Sequence, residues 1–119
     1  MFRIRLLVVA ALATAALVVA SAQAAPPKLV GTVGPDSSFK ITLTKGGKKV
    51  TILKPGRYTF VIKDSAATHN FHLIGPGVNK KTGVGSKVVA SWTVTLKTGT
   101  YKYICDPHAS FMKGSFKVA

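Results

Sequence analysis

The sequence predicts an all-β domain, an antiparallel sandwich or barrel, and three observations predict it. Apolar side chains recur at every second position in several short runs. Turn-forming residues separate those runs, and no stretch carries apolar residues at helical spacing. The chain has 119 residues, with 17 Lys plus Arg against 3 Asp plus Glu, and 47% of it is hydrophobic. That length holds one domain and excludes a two-domain enzyme with a separate cofactor fold. The apolar fraction excludes an intrinsically disordered basic tail, because enough apolar surface is present to offset the entropy of ordering. A single cysteine excludes a scaffold stapled by intramolecular disulfides.

The N-terminal apolar run belongs to targeting. Arg3 and Arg5 form a short positive region, Leu6 to Ala20 is apolar except for Thr14, and Ser21-Ala22-Gln23-Ala24 offers an A-x-A cleavage site. This is the layout of a cleavable signal peptide over residues 1–24. The run is shorter than the ~20 residues of a spanning helix; the alternative is an uncleaved N-terminal membrane anchor. Cleavage after Ala24 leaves one domain at 25–119, with 95 residues, and takes two arginines with it, so the formal charge falls from +14 to +12. The mature domain is expected to be exported, periplasmic or extracellular. In an oxidising compartment a free thiol is a liability unless it is buried, paired between chains or bound to a metal, so Cys105 has to be explained by its neighbours.

After the stiff leader Ala25-Pro26-Pro27, the elements follow in order. Phe39, Ile41 and Leu43 alternate with Lys40, Thr42 and Thr44. Tyr58, Phe60 and Ile62 alternate with Thr59, Val61 and Lys63. Ala90, Trp92, Val94 and Leu96 alternate with Ser91, Thr93, Thr95 and Lys97, and Phe116 and Val118 with Ser115 and Lys117. Each run puts one face into a core and the other into water. Gly34-Pro35-Asp36, Gly46-Gly47, Pro55-Gly56, Gly75-Pro76-Gly77, the segment 83–86 and Gly99 supply the turns. About 95 residues give a marginal core, to which a bound metal would add stability.

Chemistry-bearing residues fall in two places, Thr68-His69-Asn70-Phe71-His72-Leu73 and Tyr101 to His108, followed by Met112. Lys102 must face water, so Tyr101, Tyr103 and Cys105 share the inward face. His69 has the parity of Phe71 and Leu73, whereas His72 lies on the other face, a rim or solvent-facing residue. The two-residue spacer between Cys105 and His108 is a chelating turn. Two imidazoles, a thiolate and a thioether form a mixed nitrogen and sulfur set, and a trigonal site of two His and one Cys with a weak axial Met suits copper in both oxidation states. Tyr101, Tyr103, Trp92 and Phe60 read as core packing.

The residues Pro55-Gly56, Asp64, His69-Asn70, Gly99-x-Tyr101-x-Tyr103-x-Cys105-x-Pro107-His108, Met112 and Lys113-Gly114-Ser115-Phe116 resemble the cupredoxins, and among them the small blue copper proteins of the plastocyanin and amicyanin type. The similarity covers nearly all the mature domain. It implies a Greek-key β-sandwich of about eight strands and single-electron transfer through one Cu(I)/Cu(II) ion. It also implies His69, Cys105 and His108 as equatorial ligands and Met112 as the axial one. Asn70 would tie the ligand loops together, its backbone amide donating toward the Cys105 sulfur. The spacer from His108 to Met112 is intermediate between the longer one of plastocyanins and the shorter one of amicyanins. The electron would leave through the edge of His108, framed by Pro107, Ala109, Phe111 and the Gly75-Pro76-Gly77 loop.

With every ligand position filled by protein, the expectation is an electron carrier and not an enzyme. The dispersed lysines, such as Lys40, Lys63, Lys81 and Lys102, predict transient acidic redox partners or an anionic membrane surface, a monomer, and no nucleic acid partner. The rival readings are a copper carrier, a structural zinc site that adds His72 to the other three, and a binding module with a vestigial site.

Overall fold

The computed structural model describes residues 9–18 and 24–119. Residues 9–18 are exposed and without regular structure, and the positive region and most of the cleavage site of the leader lie outside the described residues. From Lys28 on, the chain forms two five-stranded sheets, with the order β3-β2-β1-β5-β8 in one and β4-β10-β9-β6-β7 in the other. The strands are β1 (Lys28–Val33), β2 (Ile41–Lys45), β3 (Lys48–Lys49), β4 (Ile52–Leu53), β5 (Gly56–Asp64), β6 (His72–Gly75), β7 (Val78–Lys81), β8 (Val88–Leu96), β9 (Gly99–Ile104) and β10 (Lys113–Val118). Short 3₁₀ turns at Pro35–Ser37 and Asp106–His108 interrupt the loops at one end.

The alternation predicted from sequence packs as expected. Tyr58, Phe60 and Ile62 from β5, Tyr101 and Tyr103 from β9, and Phe116 and Val118 from β10 are buried, while Lys102 and Lys117 are exposed. Ala90 and Trp92 are half-buried against this core. Stacked rings join neighbouring elements, Phe71 on Tyr103 at 5.6 Å and Tyr101 on Phe116 at 5.3 Å.

Two expectations need correction, and one strand was not anticipated. The sheets are mixed and not purely antiparallel, because β1 runs parallel to β5 and β4 parallel to β10. Parallel neighbours require a crossover, and β2, β3 and β4 provide it between β1 and β5. β1 itself has no clean alternation in the sequence, since Gly31 occupies one of its inward positions. The reason is steric: a Cβ there would lie 2.7 Å from the Ile62 side chain and 2.9 Å from the Phe71 ring. Finally, Phe39 is not a core strand residue. β2 starts at Ile41, and Phe39 is 60% exposed in the loop before it.

Two devices fasten the ends of the sandwich. At one end the Tyr101 hydroxyl accepts from Lys97 N–H at 3.0 Å and lies 3.2 Å from the carbonyls of Pro76 and Lys97, a tyrosine corner that closes the β8–β9 turn. At the other end the buried Asp64, last residue of β5, accepts from Thr82 Oγ1 at 2.7 Å and from Ala66 N–H at 3.4 Å. Thr82 Oγ1 in turn accepts from Phe71 N–H at 2.9 Å. The β5–β6 and β7–β8 connections are thereby locked to each other. Burial pushes the Asp64 carboxyl above its ordinary value, although these hydrogen bonds and the nearby His69 pull it back.

Removing the Tyr101 hydroxyl strips partners from Lys97 and Pro76 backbone groups. Tyr101→Phe is expected to cost about 1–3 kcal/mol, read as a lower urea midpoint at unchanged slope. The raised carboxyl of Asp64 favours folding in its protonated form. That contribution is complete below the ordinary value of 3.8 and is lost as pH rises through the folded value. Asp64→Asn has no such loss, so its stability deficit relative to the parent should shrink as the pH climbs from below 3.8 toward neutrality. Urea melts of the metal-free proteins at stepped pH measure it, and a deficit independent of pH would contradict the assignment.

Candidate metal centre

β9 delivers Cys105 to the end of the core with its side chain inward, and the chain then turns through Asp106-Pro107-His108. The turn is closed by backbone bonds, from His108 N–H to Cys105 O at 3.0 Å, from Met112 N–H to His108 O at 2.8 Å, and from Cys105 N–H to Met112 O at 3.0 Å. Met112 is thus folded back onto Cys105, and both side chains are fully buried in one cluster. The β5–β6 connection brings His69 from the other side, its amide held by Ala66 O at 3.2 Å. Gly34 leaves room for it: the residue has a φ of 66°, and a Cβ there would lie 3.0 Å from the His69 ring and 2.5 Å from Ala66 Cβ.

The outcome is a triangle of donor atoms. Cys105 Sγ lies 3.6 Å from both His69 Nδ1 and His108 Nδ1, and the two nitrogens are 3.1 Å apart. A triangle with these sides has its equidistant point about 2.0 Å from each corner, the length of an ordinary metal–imidazole bond and slightly short of a metal–thiolate bond. Three donor atoms gathered this closely favour a cation between them. The residues therefore fit a metal ion, and the donor chemistry, two imidazoles and a thiolate, suits a soft or borderline one. Among the described residues this is the group able to hold a metal, and His72 is outside it.

The loops are stitched one residue away from the donors. Asp106 N–H donates to Asn70 Oδ1 at 2.8 Å, and Asn70 Nδ2 donates back to Asp106 Oδ2 at 2.8 Å and to Thr82 O at 3.2 Å. The two loops are tied by Asn70, but through its side chain; the bond expected from its backbone amide to the Cys105 sulfur is not among the hydrogen bonds of the described residues. His72 sits on the opposite face from Leu73, as parity requires, with Nδ1 2.8 Å from Asp106 Oδ1 and Nε2 2.5 Å from Asn79 Oδ1. Burial alone would raise the Asp106 carboxyl. The hydrogen bonds from His72 and Asn70, with the charges of His72 and Lys81, outweigh that and hold it below the usual carboxylate value.

His69 is buried, and His108 is half-buried with Nδ1 turned to the triangle, so His108 is the donor that reaches the surface. Around it lie two aromatic rings that are 59% and 60% exposed, Phe111 at 5.5 Å and Phe39 at 5.2 Å, centroid to centroid. Phe39 also meets the His69 ring edge-on at 5.1 Å. The sequence hides this role, because Phe39 continues the alternation of Ile41 and Leu43.

The Gly75-Pro76-Gly77 loop does not frame His108. It packs on Tyr101 and Gly99, and Gly99 is six residues up the strand from Cys105, roughly 20 Å away at strand rise. The apolar surface at the metal end is made by Phe39 and Phe111 with Pro107 and Ala109.

With that geometry in view, likenesses to known proteins become informative. Residues 38–119 match the copper binding proteins of the plastocyanin/azurin family. Rusticyanin from Thiobacillus ferrooxidans is 22% identical, with 77% of this chain and 76% of that chain covered and a TM-score of 0.50. A solution structure of reduced rusticyanin is 20% identical over 77% and 76%, with a TM-score of 0.53. A reduced tryptophan-to-tyrosine variant of amicyanin is 23% identical over 81% and 86%, with a TM-score of 0.50. A comparison with curated proteins returns no match. The structural likenesses establish a cupredoxin fold. The family match spans most of the chain and includes every donor, so the chain belongs to the plastocyanin/azurin family of copper binding proteins, and its cofactor is copper.

Proposed function

We propose that this protein is an exported, monomeric single-electron carrier, in which His69, Cys105, His108 and Met112 would hold the copper ion. The observation that carries the reading is the donor triangle at the buried end of a rigid sandwich. Copper bound there supplies one-electron chemistry between Cu(II) and Cu(I). The protein's part is to hold the donors still. His69 is fixed by the β5–β6 connection and Cys105 with His108 by the closed turn, so neither oxidation state is free to rearrange its ligands. Cys105 gives up its proton when metal binds. Pro107 removes one backbone donor from the neighbourhood of the sulfur, which favours Cu(I). Four protein donors leave no position for a substrate, which supports a carrier over an enzyme.

Electrons are exchanged through the half-buried His108 across the Phe39–Phe111 surface, small enough for a transient redox encounter. All fourteen lysines are exposed, and two of the three carboxylates, Asp64 and Asp106, are engaged in internal hydrogen bonds. The uncompensated positive surface suits an acidic protein partner or an anionic membrane surface, with association that slows as salt rises.

Copper added to the purified mature protein should give an intense visible thiolate-to-Cu(II) band that reductant bleaches reversibly and that Cys105→Ser abolishes. A colourless, redox-silent Cu(II) complex would instead mark a copper carrier, and zinc retained in preference to copper a structural site. Phe39→Ala should cost little stability, because the ring is largely exposed. It should lower the reduction potential, since water admitted to the imidazole edges favours the more highly charged state. Voltammetry of the two proteins side by side checks this, and an unchanged potential would remove Phe39 from the site's dry cap.

A further inference from the structure

We propose that His72 is a positioning residue for the metal loop, acting through Asp106, and that it raises the reduction potential of the bound ion. The inference rests on the copper reading above. His72 opens β6 on its outward face, where strand register pairs it with Ile104 of β9 and Lys81 of β7. At such a position any β-branched or polar residue would serve the sheet. The imidazole does more than fill the position, because both ring nitrogens are committed, Nδ1 to Asp106 Oδ1 at 2.8 Å and Nε2 to Asn79 Oδ1 at 2.5 Å. The ring therefore bridges β7 to the residue that follows Cys105.

Asp106 needs that bridge. Its Oδ2 accepts from Asn70 Nδ2 at 2.8 Å and its N–H donates to Asn70 Oδ1 at 2.8 Å. With His72 on Oδ1, each carboxylate oxygen has its own donor, and rotation of the group would break both bonds. Without His72 the carboxylate hangs on one side chain and is free to swing, and the turn that carries Cys105 and His108 loses a tether.

The same contact has an electrostatic consequence. The Asp106 carboxylate is one residue from the sulfur, and negative charge there favours Cu(II) over Cu(I). The N–H of His72 withdraws part of that charge. Hydrogen bonds to ionised groups are about twice as strong as neutral ones, and the bias this one places on the two oxidation states is expected to be about tenfold.

The test compares copper-loaded wild type, His72→Ala, His72→Gln, Asp106→Asn and the His72→Ala/Asp106→Asn double variant by voltammetry and visible spectroscopy. All should keep the visible band, because His72 is not a donor. His72→Ala should lower the potential by about a tenfold change in the Cu(I) to Cu(II) ratio, which is 59 mV for a one-electron couple. His72→Gln, whose side-chain amide can still donate to Asp106 but carries no charge, should recover part of the lost potential. In the Asp106→Asn background the effect of His72→Ala on the potential should vanish. A role confined to packing predicts a loss of stability in both backgrounds with no change of potential, and that result would overturn the proposal, as would an equal shift in both.

A second measurement needs no metal. In the metal-free protein, exchange of the Asp106 amide should accelerate about tenfold in His72→Ala and not in His72→Gln, while core amides of β9 stay protected. Unchanged exchange would defeat the clamp. Should His72→Ala fail to fold, Asn79→Ala releases the other end of the imidazole and should accelerate the same amide. A wild-type protein without the visible band would defeat the copper reading, whereas the Asp106 amide still decides the clamp.

Discussion

The reciprocal hydrogen bonds between Asn70 and Asp106 are the constraint on which the rest of the site depends. They join two loops 36 residues apart in the chain, and each partner is the immediate neighbour of a donor, His69 on one side and Cys105 on the other. Each such bond contributes only about 0.5–1.5 kcal/mol net. Their importance is geometric, because they set the separation of the two loops in a region where apolar contact alone would tolerate slippage. Thr82 and Asp64 extend the same chain of bonds into the β5–β6 and β7–β8 connections. The metal end of the sandwich is therefore cross-linked by polar side chains, while the opposite end is closed by the Tyr101 corner and by aromatic rings stacked across strands.

Polar and apolar parts of the site are divided cleanly. One flank of the donor triangle is covered by Phe39 and Phe111, whose rings meet the imidazoles at 5.1–5.5 Å. The other flank carries the Asn70–Asp106–His72 bonds. Water is kept from the first side and loop motion is limited on the second, the two conditions under which an ion can change charge with little rearrangement. The distribution of charge follows from the same economy. With Asp64 and Asp106 engaged internally, nearly all remaining surface charge is lysine, and the molecule presents a positive exterior around the apolar Phe39–Phe111 surface.

Much of this was legible in the residue pattern, and the failures have physical causes. The period-two runs of β5, β8 and β10 read directly, because each buries one face and wets the other. β1 did not, because Gly31 yields its side-chain volume to the Phe71 ring, and that neighbour is 40 residues away. The parallel pairs β1–β5 and β4–β10 could not be read either, since alternation reports which face is buried and is blind to the direction of the partner strand. Parity placed His69 inward and His72 outward correctly. It could not show that an outward histidine would meet Asp106 and Asn79, which requires the register of three strands.

By itself the sequence determined the donor types, their order, and the spacing of Cys105 from His108, because a two-residue spacer brings both side chains to one turn whatever the remainder of the chain does. It also determined which residues face the core, since side-chain direction alternates along any strand. Only the tertiary structure decided that His69 closes the triangle to within 3.6 Å of the sulfur, that Phe39 caps it, and that the Gly75-Pro76-Gly77 loop lies at the far pole. Those outcomes depend on how two sheets pack and which loops share an end, and distance along the chain carries no information about either.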